Sequence, residues 1–224
     1  MVRYVSISLK CYIPPCSEVR YTVRTMNKGD KITMAATEPI RDKKQLKELA
    51  EYYLEKGQIR NYTLIIMGVY TALRISDLLK LKWTDVYDEE HQNFYAHVTL
   101  TEQKTGKTKL IALNKQVIGA LSQCYLHRKG EFIFANNRKE PQAISRVQAW
   151  RIIHAAVEAI GLMGKISCHS LRKTFGYHAW TSGEVSPVVI MDIYNHSNYE
   201  TTRRYLGVAQ DDLDAAYLKL ELIS

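Results

Sequence analysis

The sequence predicts a mainly α-helical fold with a small antiparallel β-sheet, an α+β arrangement. Apolar residues recur at helical spacing through most of the chain after Thr37. Near the middle, Phe94 to Leu100 and Lys109 to Leu113 change to strand-like runs. The hairpin-turn sequence Lys104-Thr105-Gly106-Lys107 lies between them, with glycine where a positive φ is needed. Of the 224 residues, 46% are hydrophobic and 24% are charged, which allows a sizeable core.

The first 37 residues differ from the rest of the chain. Val2 to Tyr12 and Val19 to Thr25 are predicted as short strands, and Pro14-Pro15 ends the first of them. Neither strand carries a motif that suggests chemistry. We therefore predict an unassigned N-terminal arm over residues 1–37 and one folded domain over residues 38–224.

Capping residues and glycines mark the helix boundaries after this arm. Thr37-Glu38-Pro39 is predicted to start the first helix, and Gly57 is predicted to end it. Ser76 is predicted to cap a short helix from Asp77 to Leu81. The remaining helices are predicted over residues 62–71, 115–128, 145–160, 167–180, 188–194, 199–205 and 211–222.

The charge balance indicates a partner that carries many phosphates. The chain has 31 Lys and Arg residues against 23 Asp and Glu residues, a formal net charge of +8 at pH 7. Each Lys or Arg that docks on a phosphate releases condensed counterions. The sequence shows neither a bilayer-spanning stretch nor the apolar core of a signal peptide. We therefore expect a cytoplasmic, nucleoid-associated protein.

Two stretches that contain arginine have residue types suited to a phosphate. In His169-Ser170-Leu171-Arg172, the imidazole and the guanidinium share one face of a helix, where both can meet a phosphate oxygen. Arg74 lies between two apolar helices, and a buried arginine needs a charged partner or a ligand. The alternatives without a function are an exposed basic helix face and a structural ion pair of Arg74 with Asp77.

Two further stretches add an amine, an imidazole and a phenol. Lys104 on a mobile hairpin can reach into a site and act as a general acid, although lysines at turns are usually only solvated. His196 precedes Tyr205 by nine residues, although a lone tyrosine in an apolar setting usually belongs to a core. Each signal is weak alone, and their conjunction in one chain indicates phosphate chemistry.

The sequence resembles the catalytic domain of the tyrosine recombinases, also called phage integrases. The resemblance covers roughly residues 38–222, with the motifs in the family's order. It is carried by TALRISDLLKLKW (71–83), EQKTGKTKLIAL (102–113), HSLRKTF (169–175) and NHSNYETTRRYLG (195–207). All six positions of the family's catalytic set hold the usual residue types, namely Arg74, Lys104, His169, Arg172, His196 and Tyr205.

The resemblance implies a site-specific recombinase that cuts and rejoins DNA through a covalent 3′-phosphotyrosine. Tyr205 would be the nucleophile, and Arg74 and Arg172 would clamp the scissile phosphate. Lys104 would protonate the leaving 5′-oxygen. A 5′-hydroxyl from another strand would then attack the intermediate without ATP. The sequence shows no acidic metal cluster, so we expect neither a metal nor another cofactor.

The two histidines have separate implied roles, since His169 resembles the residue that assists proton transfer and His196 the one that supports the phosphate. Two positions beside them depart from the family, because Asn195 and Lys173 stand where Gly and His are often found. Further contacts with double-stranded DNA are expected from Lys107, Lys109, Arg146, Lys173, Arg203 and Arg204.

The resemblance also bears on assembly. Family members commonly carry a helical core-binding domain before the catalytic domain, whereas about 37 residues precede the match here, so we expect that domain to be missing. A homotetramer on DNA is implied, joined through the helix 211–222, whose apolar residues are Leu213, Tyr217 and Leu220. Packing of this helix on its own domain is the alternative. Accessory DNA-bending proteins or a second recombinase are further candidate partners.

Two other functions remain open at this point. One is a DNA-binding module that regulates a full-length recombinase and has no activity of its own. The other is a strand-passing enzyme similar to type IB topoisomerases, which would relax supercoils without recombination. The six intact residues favour an active recombinase of a phage, plasmid or other mobile genetic element, because a purely binding role has no need of Tyr205.

Overall fold

The computed structural model describes residues 4–7, 21–24, 37–208 and 217–218. The chain divides into two compact units, Met1–Ala36 and Thr37–Ser224. In the first unit, β1 (Tyr4–Ile7) and β2 (Tyr21–Arg24) pair in antiparallel fashion. Each of these strands lies inside the longer run that the sequence predicts.

The described residues of the second unit form helices and two small antiparallel sheets. Its elements are α1 (Lys43–Glu55), α2 (Ile59–Tyr70), α3 (Ile75–Leu78), a 3-10 helix (Trp83–Asp85), β3 (Tyr87–Asp88), β4 (Asn93–Phe94), β5 (His97–Thr101), β6 (Thr108–Ala112), α4 (Lys115–Tyr125), α5 (Arg146–Ala159), α6 (Cys168–Thr181), α7 (Pro187–Tyr194) and α8 (Tyr199–Leu206). The predicted mainly α fold with small antiparallel sheet structure is thus confirmed.

The hairpin β5–β6 is in the predicted place. Its strands pair from His97 opposite Ala112 to Thr101 opposite Thr108, and the turn between them contains Gly106 at φ 65°. The expectation of one strand over residues 94–100 is wrong at its start, because β4 pairs with β3 in a separate sheet. Between β4 and β5, the Tyr95 N–H donates to the Val86 carbonyl at 2.9 Å, which turns the chain away from the hairpin.

Three helix starts differ from the prediction by more than one residue. The helix α2 begins at Ile59, three residues before the predicted start at Tyr62, and Ile59 packs against the core. The first helix begins at Lys43 and not at Thr37, because the preceding backbone is committed to tertiary contacts: the Ile40 N–H donates to the Thr174 hydroxyl of α6 at 2.9 Å. Asp42 caps the helix instead, accepting from the Lys44 N–H at 2.7 Å. The helix α3 begins at Ile75, with Arg74 at its N-cap position. This cap lies two residues before Ser76, the predicted cap.

The hydrophobic core is organised around α2, which contacts α1, α4 and α6. Leu64 and Met67 face one buried cluster, and Ile65 and Val69 face a second cluster on the other side. Because α2 is covered on both of these sides, each of its fully buried side chains contributes about 1.5–3 kcal/mol relative to exposure. A third cluster, formed by Ala72, Ile190, Tyr194 and Leu206, lies beneath α7 and α8.

The predicted helix over residues 211–222 falls mostly outside the described residues. Tyr217 and Leu218 are described, and both are helical and exposed. Among the described residues, no helix is long and apolar enough to cross a membrane.

A substitution of Gly176 by alanine tests the packing of α6 against α7 and α8. A Cβ at this position would stand 2.5 Å from the Tyr194 hydroxyl oxygen and would also meet Leu206. We expect Gly176→Ala to lower the free energy of unfolding by about 1–3 kcal/mol, because neither neighbour has room to move. Denaturant unfolding measures this change.

Gly119 in α4 provides the matched control, since nothing lies within 4 Å of a Cβ placed there. Gly119→Ala should leave stability unchanged or raise it by about 0.5–1 kcal/mol through the better helix propensity of alanine. Equal stability of the two variants would contradict the packing at Gly176.

Candidate active site

The helix α6 places His169 and Arg172 side by side. Ser167 caps the helix by accepting from the His169 N–H at 3.3 Å, so His169 lies in the first turn and Arg172 lies one turn later. The side chain of Arg172 is almost fully buried, at 3% exposure. One of its Nη atoms donates to the Ala72 carbonyl, and its Cζ lies 4.7 Å from the centre of the Tyr194 ring.

The backbone carbonyl that Arg172 binds belongs to an unusual residue. Ala72 is buried and adopts φ 51°, in the left-handed region that residues other than glycine and asparagine rarely enter. Arg74 follows two residues later, at the start of α3. The hydrogen bond from Arg172 to Ala72 therefore holds the backbone two residues before Arg74.

Arg74 forms an ion pair with Glu102, whose Oε1 stands 2.7 Å from the Arg74 Nη1. The alternative considered from the sequence, an ion pair of Arg74 with Asp77, is not formed, and Asp77 instead uses its Oδ1 to accept from the Gln103 N–H at 3.2 Å. Both carboxylates thus join α3 to the base of the β5–β6 turn.

The Glu102 carboxylate is fully buried and contacts four side chains. Its Oε1 also lies 3.1 Å from the Lys109 Nζ. Its Oε2 accepts from the Thr105 hydroxyl at 2.7 Å and from the Asn195 side-chain amide at 2.8 Å. Burial alone would raise the pKa of Glu102, yet Arg74, Thr105 and Lys109 hold this pKa at about 2.

Tyr205 lies on α8 within a cluster of rings. The centre of its ring is 5.2 Å from the ring centres of both His196 and Tyr194. The His196 ring stacks on Tyr194, and its Nδ1 lies 3.1 Å from the Thr202 hydroxyl. On α6, the Lys173 Nζ is 5.1 Å from the centre of the Tyr205 ring. The phenol is thereby held beside an imidazole and close to cations.

The protonation states of these groups follow from burial and positive charge. Burial raises the pKa of Tyr205, and Arg172 and Arg74 offset part of this rise. Burial also lowers the pKa of His196, and Arg172 and Arg74 lower it further. Partial burial, followed by Arg172 and Lys173, has the same effect on the pKa of His169. At pH 7 the phenol is therefore protonated, while the two imidazoles are neutral and able to accept a proton.

A broad open pocket of about 730 Å³ adjoins Arg74 and His169. The α3 helix, the β5–β6 turn, α5 and α6 form its walls. Its lining includes four of the residues selected from the sequence, Arg74, Lys104, Arg146 and His169, together with Trp150 of α5. Lys104 is exposed on the turn, so its ammonium group is available to a ligand in the pocket.

The six catalytic candidates thus occupy one region. Arg74, Lys104 and His169 line the pocket, while Arg172 and His196 adjoin Tyr205. In the described part of the chain, no three His, Cys, Asp or Glu side chains are grouped as metal ligands would be.

The residues expected to contact DNA fall into two groups. Lys107, Arg146 and Arg204 are exposed, and Arg203 is partly exposed. Lys109 and Lys173 lie inside the protein with their amines engaged. Lys109 pairs with Glu102 and donates to the Ile193 carbonyl, and Lys173 donates to the Thr37 carbonyl at 2.7 Å.

Sequence reasoning assigned no role to Glu102. One signal for it was present, because a buried Arg74 needs an anion and Glu102 begins the motif that also holds Lys104. The contact of Asn195 was also missed, although its position was noted as unusual. Asn195 takes φ 55° at the end of α7, a conformation that asparagine tolerates better than most residues.

The chain is similar to known integrases and tyrosine recombinases. Residues 41–211 match the model of the phage integrase family. The "Probable integrase/recombinase YoeC" of Bacillus subtilis is 36% identical over 185 residues, which cover 82% of this chain and 97% of that protein. The "Tyrosine recombinase XerA" of Pyrococcus furiosus is 26% identical over 183 residues, which cover 80% of this chain and 60% of that protein.

Solved structures show the same fold. The crystal structure of XerA recombinase superposes with a TM-score of 0.66 at 20% identity, covering 85% of this chain and 66% of that one. The Tn1549 transposon integrase in complex with circular intermediate DNA gives a TM-score of 0.60 at 22% identity, covering 84% of this chain and 66% of that one.

Proposed function

The chain belongs to the phage integrase family of tyrosine recombinases, and from this premise we propose that it is a site-specific recombinase that cleaves DNA with Tyr205. The observation that carries the proposal is the position of the Tyr205 phenol. It lies beside His196, with the Arg172 guanidinium as a hydrogen-bond partner and the charge of Arg74 near enough to lower its pKa. A tyrosine that only filled a core would need none of these groups.

In the proposed cleavage step, the Tyr205 oxygen attacks the scissile phosphorus and forms a 3′-phosphotyrosyl bond. The bond between phosphorus and the 5′-oxygen breaks, and a free 5′-hydroxyl leaves. Negative charge grows on the non-bridging oxygens in the transition state, where Arg74 and Arg172 act as fixed donors. Because Arg172 is already held by the Ala72 carbonyl and the Tyr194 ring, little reorganisation is needed.

Two proton transfers accompany this step. The phenol must lose a proton, and His169 is a suitable acceptor because its lowered pKa keeps it neutral at pH 7. The leaving 5′-oxygen must gain a proton, and Lys104 on the pocket-lining turn is the proposed donor. His196, whose ring lies beside that of Tyr205, is proposed to support the phosphate. Attack by a 5′-hydroxyl of another strand reverses the chemistry without ATP, metal or another cofactor.

The DNA surface proposed here includes the pocket, whose wall contains Arg146. Lys107, Arg146, Arg203 and Arg204 are accessible and basic, which suits contacts with the phosphate backbone. The buried amines of Lys109 and Lys173 suit a role inside the site. The proposal also includes a homotetramer on DNA joined through residues 211–222, accessory DNA-bending proteins or a second recombinase, and a location at the nucleoid.

Replacement of Tyr205 tests the nucleophile. We expect wild-type protein to form a covalent adduct with a nicked duplex taken from the ends of the genetic element that encodes it, without added metal or ATP. Tyr205→Phe should form no adduct, because it removes the attacking oxygen and leaves the ring contacts with His196 and Tyr194 in place. A denaturing gel measures the adduct.

Tyr199→Phe is the matched control, since Tyr199 is an exposed residue of the same helix. It should form the adduct at the wild-type rate. An adduct that persists in Tyr205→Phe would contradict the assignment of the nucleophile. Relaxation of supercoils without joining of two duplexes would favour a topoisomerase-like enzyme.

The pH dependence of cleavage tests His169. Its pKa lies below the usual 6.5, so the neutral form dominates at pH 7 and is lost as the pH falls. The single-turnover rate should therefore stay flat from pH 7 to below the ordinary histidine pKa of 6.5, and then fall by about tenfold for each pH unit past the pKa of His169.

His169→Ala should lower the rate by about 10²–10⁴-fold and remove this acidic fall. His127→Ala, which changes an exposed histidine after α4, should retain the wild-type profile. An unchanged acidic limb in His169→Ala would assign the proton acceptor to another group.

A further inference from the structure

Glu102 contacts three segments of the chain that carry the proposed catalytic groups. We propose that Glu102 is a positioning residue for DNA cleavage, which holds Arg74, the turn bearing Lys104 and the loop bearing His196 in one arrangement before DNA binds. This inference rests on the proposed recombinase function. It concerns a residue that acts on the phosphate through its neighbours.

The first contact fixes Arg74. The Glu102 side chain is fully buried, whereas the Arg74 side chain keeps 21% of its surface exposed. One Nη of the guanidinium is thus tied inward at 2.7 Å, and the exposed part of the group remains available at the pocket. A donor that is oriented in the free protein does not have to be ordered when the transition state forms.

The second contact fixes the turn. The Thr105 hydroxyl donates to the Glu102 Oε2 at 2.7 Å, and the Gly106 N–H donates to the Glu102 carbonyl at 2.8 Å. Lys104 lies between Glu102 and these two residues. Although the Lys104 side chain is exposed, the backbone that carries it is held at both ends by Glu102.

The third contact fixes the loop after α7. The Asn195 amide donates to the Glu102 Oε2 at 2.8 Å, and His196 is the next residue. The Lys109 amine, which pairs with the Glu102 Oε1, also donates to the carbonyl of Ile193 at the end of α7. The hairpin therefore contacts this loop at two points.

The charge of Glu102 is needed for all of these contacts together. A carboxylate offers two acceptor oxygens and one negative charge to two cations and two neutral donors. A glutamine has one acceptor oxygen and no charge, so the positive charges of Arg74 and Lys109, whose side chains are 21% and 15% exposed, would lose their buried anionic partner. Breaking one side of a buried ion pair is costly because the remaining charge has no partner.

The test compares three variants on the nicked duplex described above, in single turnover with saturating full-length protein. Glu102→Gln should cleave about 100-fold more slowly than wild type, the order of loss that a misplacement of about 1 Å causes. Thr105→Val and Asn195→Gly each remove one contact, and each should cleave about tenfold more slowly, the order expected for one hydrogen bond to a charged group. DNA affinity should stay at the wild-type value in all three.

Thr108→Val is the matched control for Thr105→Val. Thr108 lies on the same hairpin, and its hydroxyl pairs with the Thr101 hydroxyl at 3.2 Å, outside the contacts of Glu102. This variant should cleave like wild type. Asn195→Gly retains the backbone conformation, because glycine readily adopts a positive φ.

A substrate with sulfur in place of the bridging 5′-oxygen distinguishes the effect of the contact with the turn from the effects of the other two contacts. A thiol has a pKa of about 8.5, far below that of about 15.7 for water, so a thiolate can leave without a proton from Lys104. Thr105→Val should recover the wild-type rate on this substrate, because only the turn is displaced. Glu102→Gln and Asn195→Gly should remain slow, because the phosphate contacts are displaced.

Acid unfolding tests the network without DNA. The pKa of Glu102 is about 2 in the folded protein, against 4.5 for an ordinary glutamate. Its contribution to stability is therefore present above pH 4.5 and is lost as the pH falls towards 2. Wild type should lose stability over this range more steeply than Glu102→Gln.

The outcomes separate the two hypotheses. If wild type forms no adduct, the recombinase proposal fails, and the positioning role fails with it. If wild type forms the adduct and the three variants cleave at the wild-type rate, the positioning role alone is wrong. Loss of DNA affinity and of folding in all three variants, without a separate effect on cleavage, would also overturn it and leave a purely structural Glu102.

Discussion

Arg172 has its guanidinium almost wholly out of water, and this burial constrains the rest of the site. A buried cation costs free energy unless the protein supplies what water no longer does. Here the Ala72 carbonyl and the Tyr194 ring solvate Arg172, while Glu102 neutralises charge on the adjoining hairpin. The bend before α3 and the ring cluster under α8 are each a part of this solvation.

The balance of charge that results is suited to a ligand that becomes more negative as it reacts. Glu102 faces Arg74 and Lys109, and Arg172 adds a further positive charge that Glu102 does not contact. A phosphodiester gains negative charge as it approaches the transition state, so an excess of cations stabilises that state more than the bound DNA. The same excess helps to keep His196 neutral.

Local patterns in the sequence were sufficient to predict much of this structure. The turn at Gly106 and the spacing of the motif on α6 depend on residues close together in the chain, so both could be predicted. The partner of Arg74 could not, because Asp77 is near in sequence while Glu102 becomes near only when α3 packs on the hairpin. The start of α1 at Lys43 was missed for the same reason, since contacts with distant segments use the backbone before it.

The left-handed Ala72 makes the two arginines depend on each other. Arg172 binds the carbonyl of this residue, and the chain reaches Arg74 two residues later. A substitution of Arg172 therefore releases the bend from which Arg74 projects, and its effect will not add simply to that of a change at Arg74. Among descendants of this sequence, the two arginines and the small residue at position 72 should evolve as an epistatic unit, in which no member changes freely while the others stay.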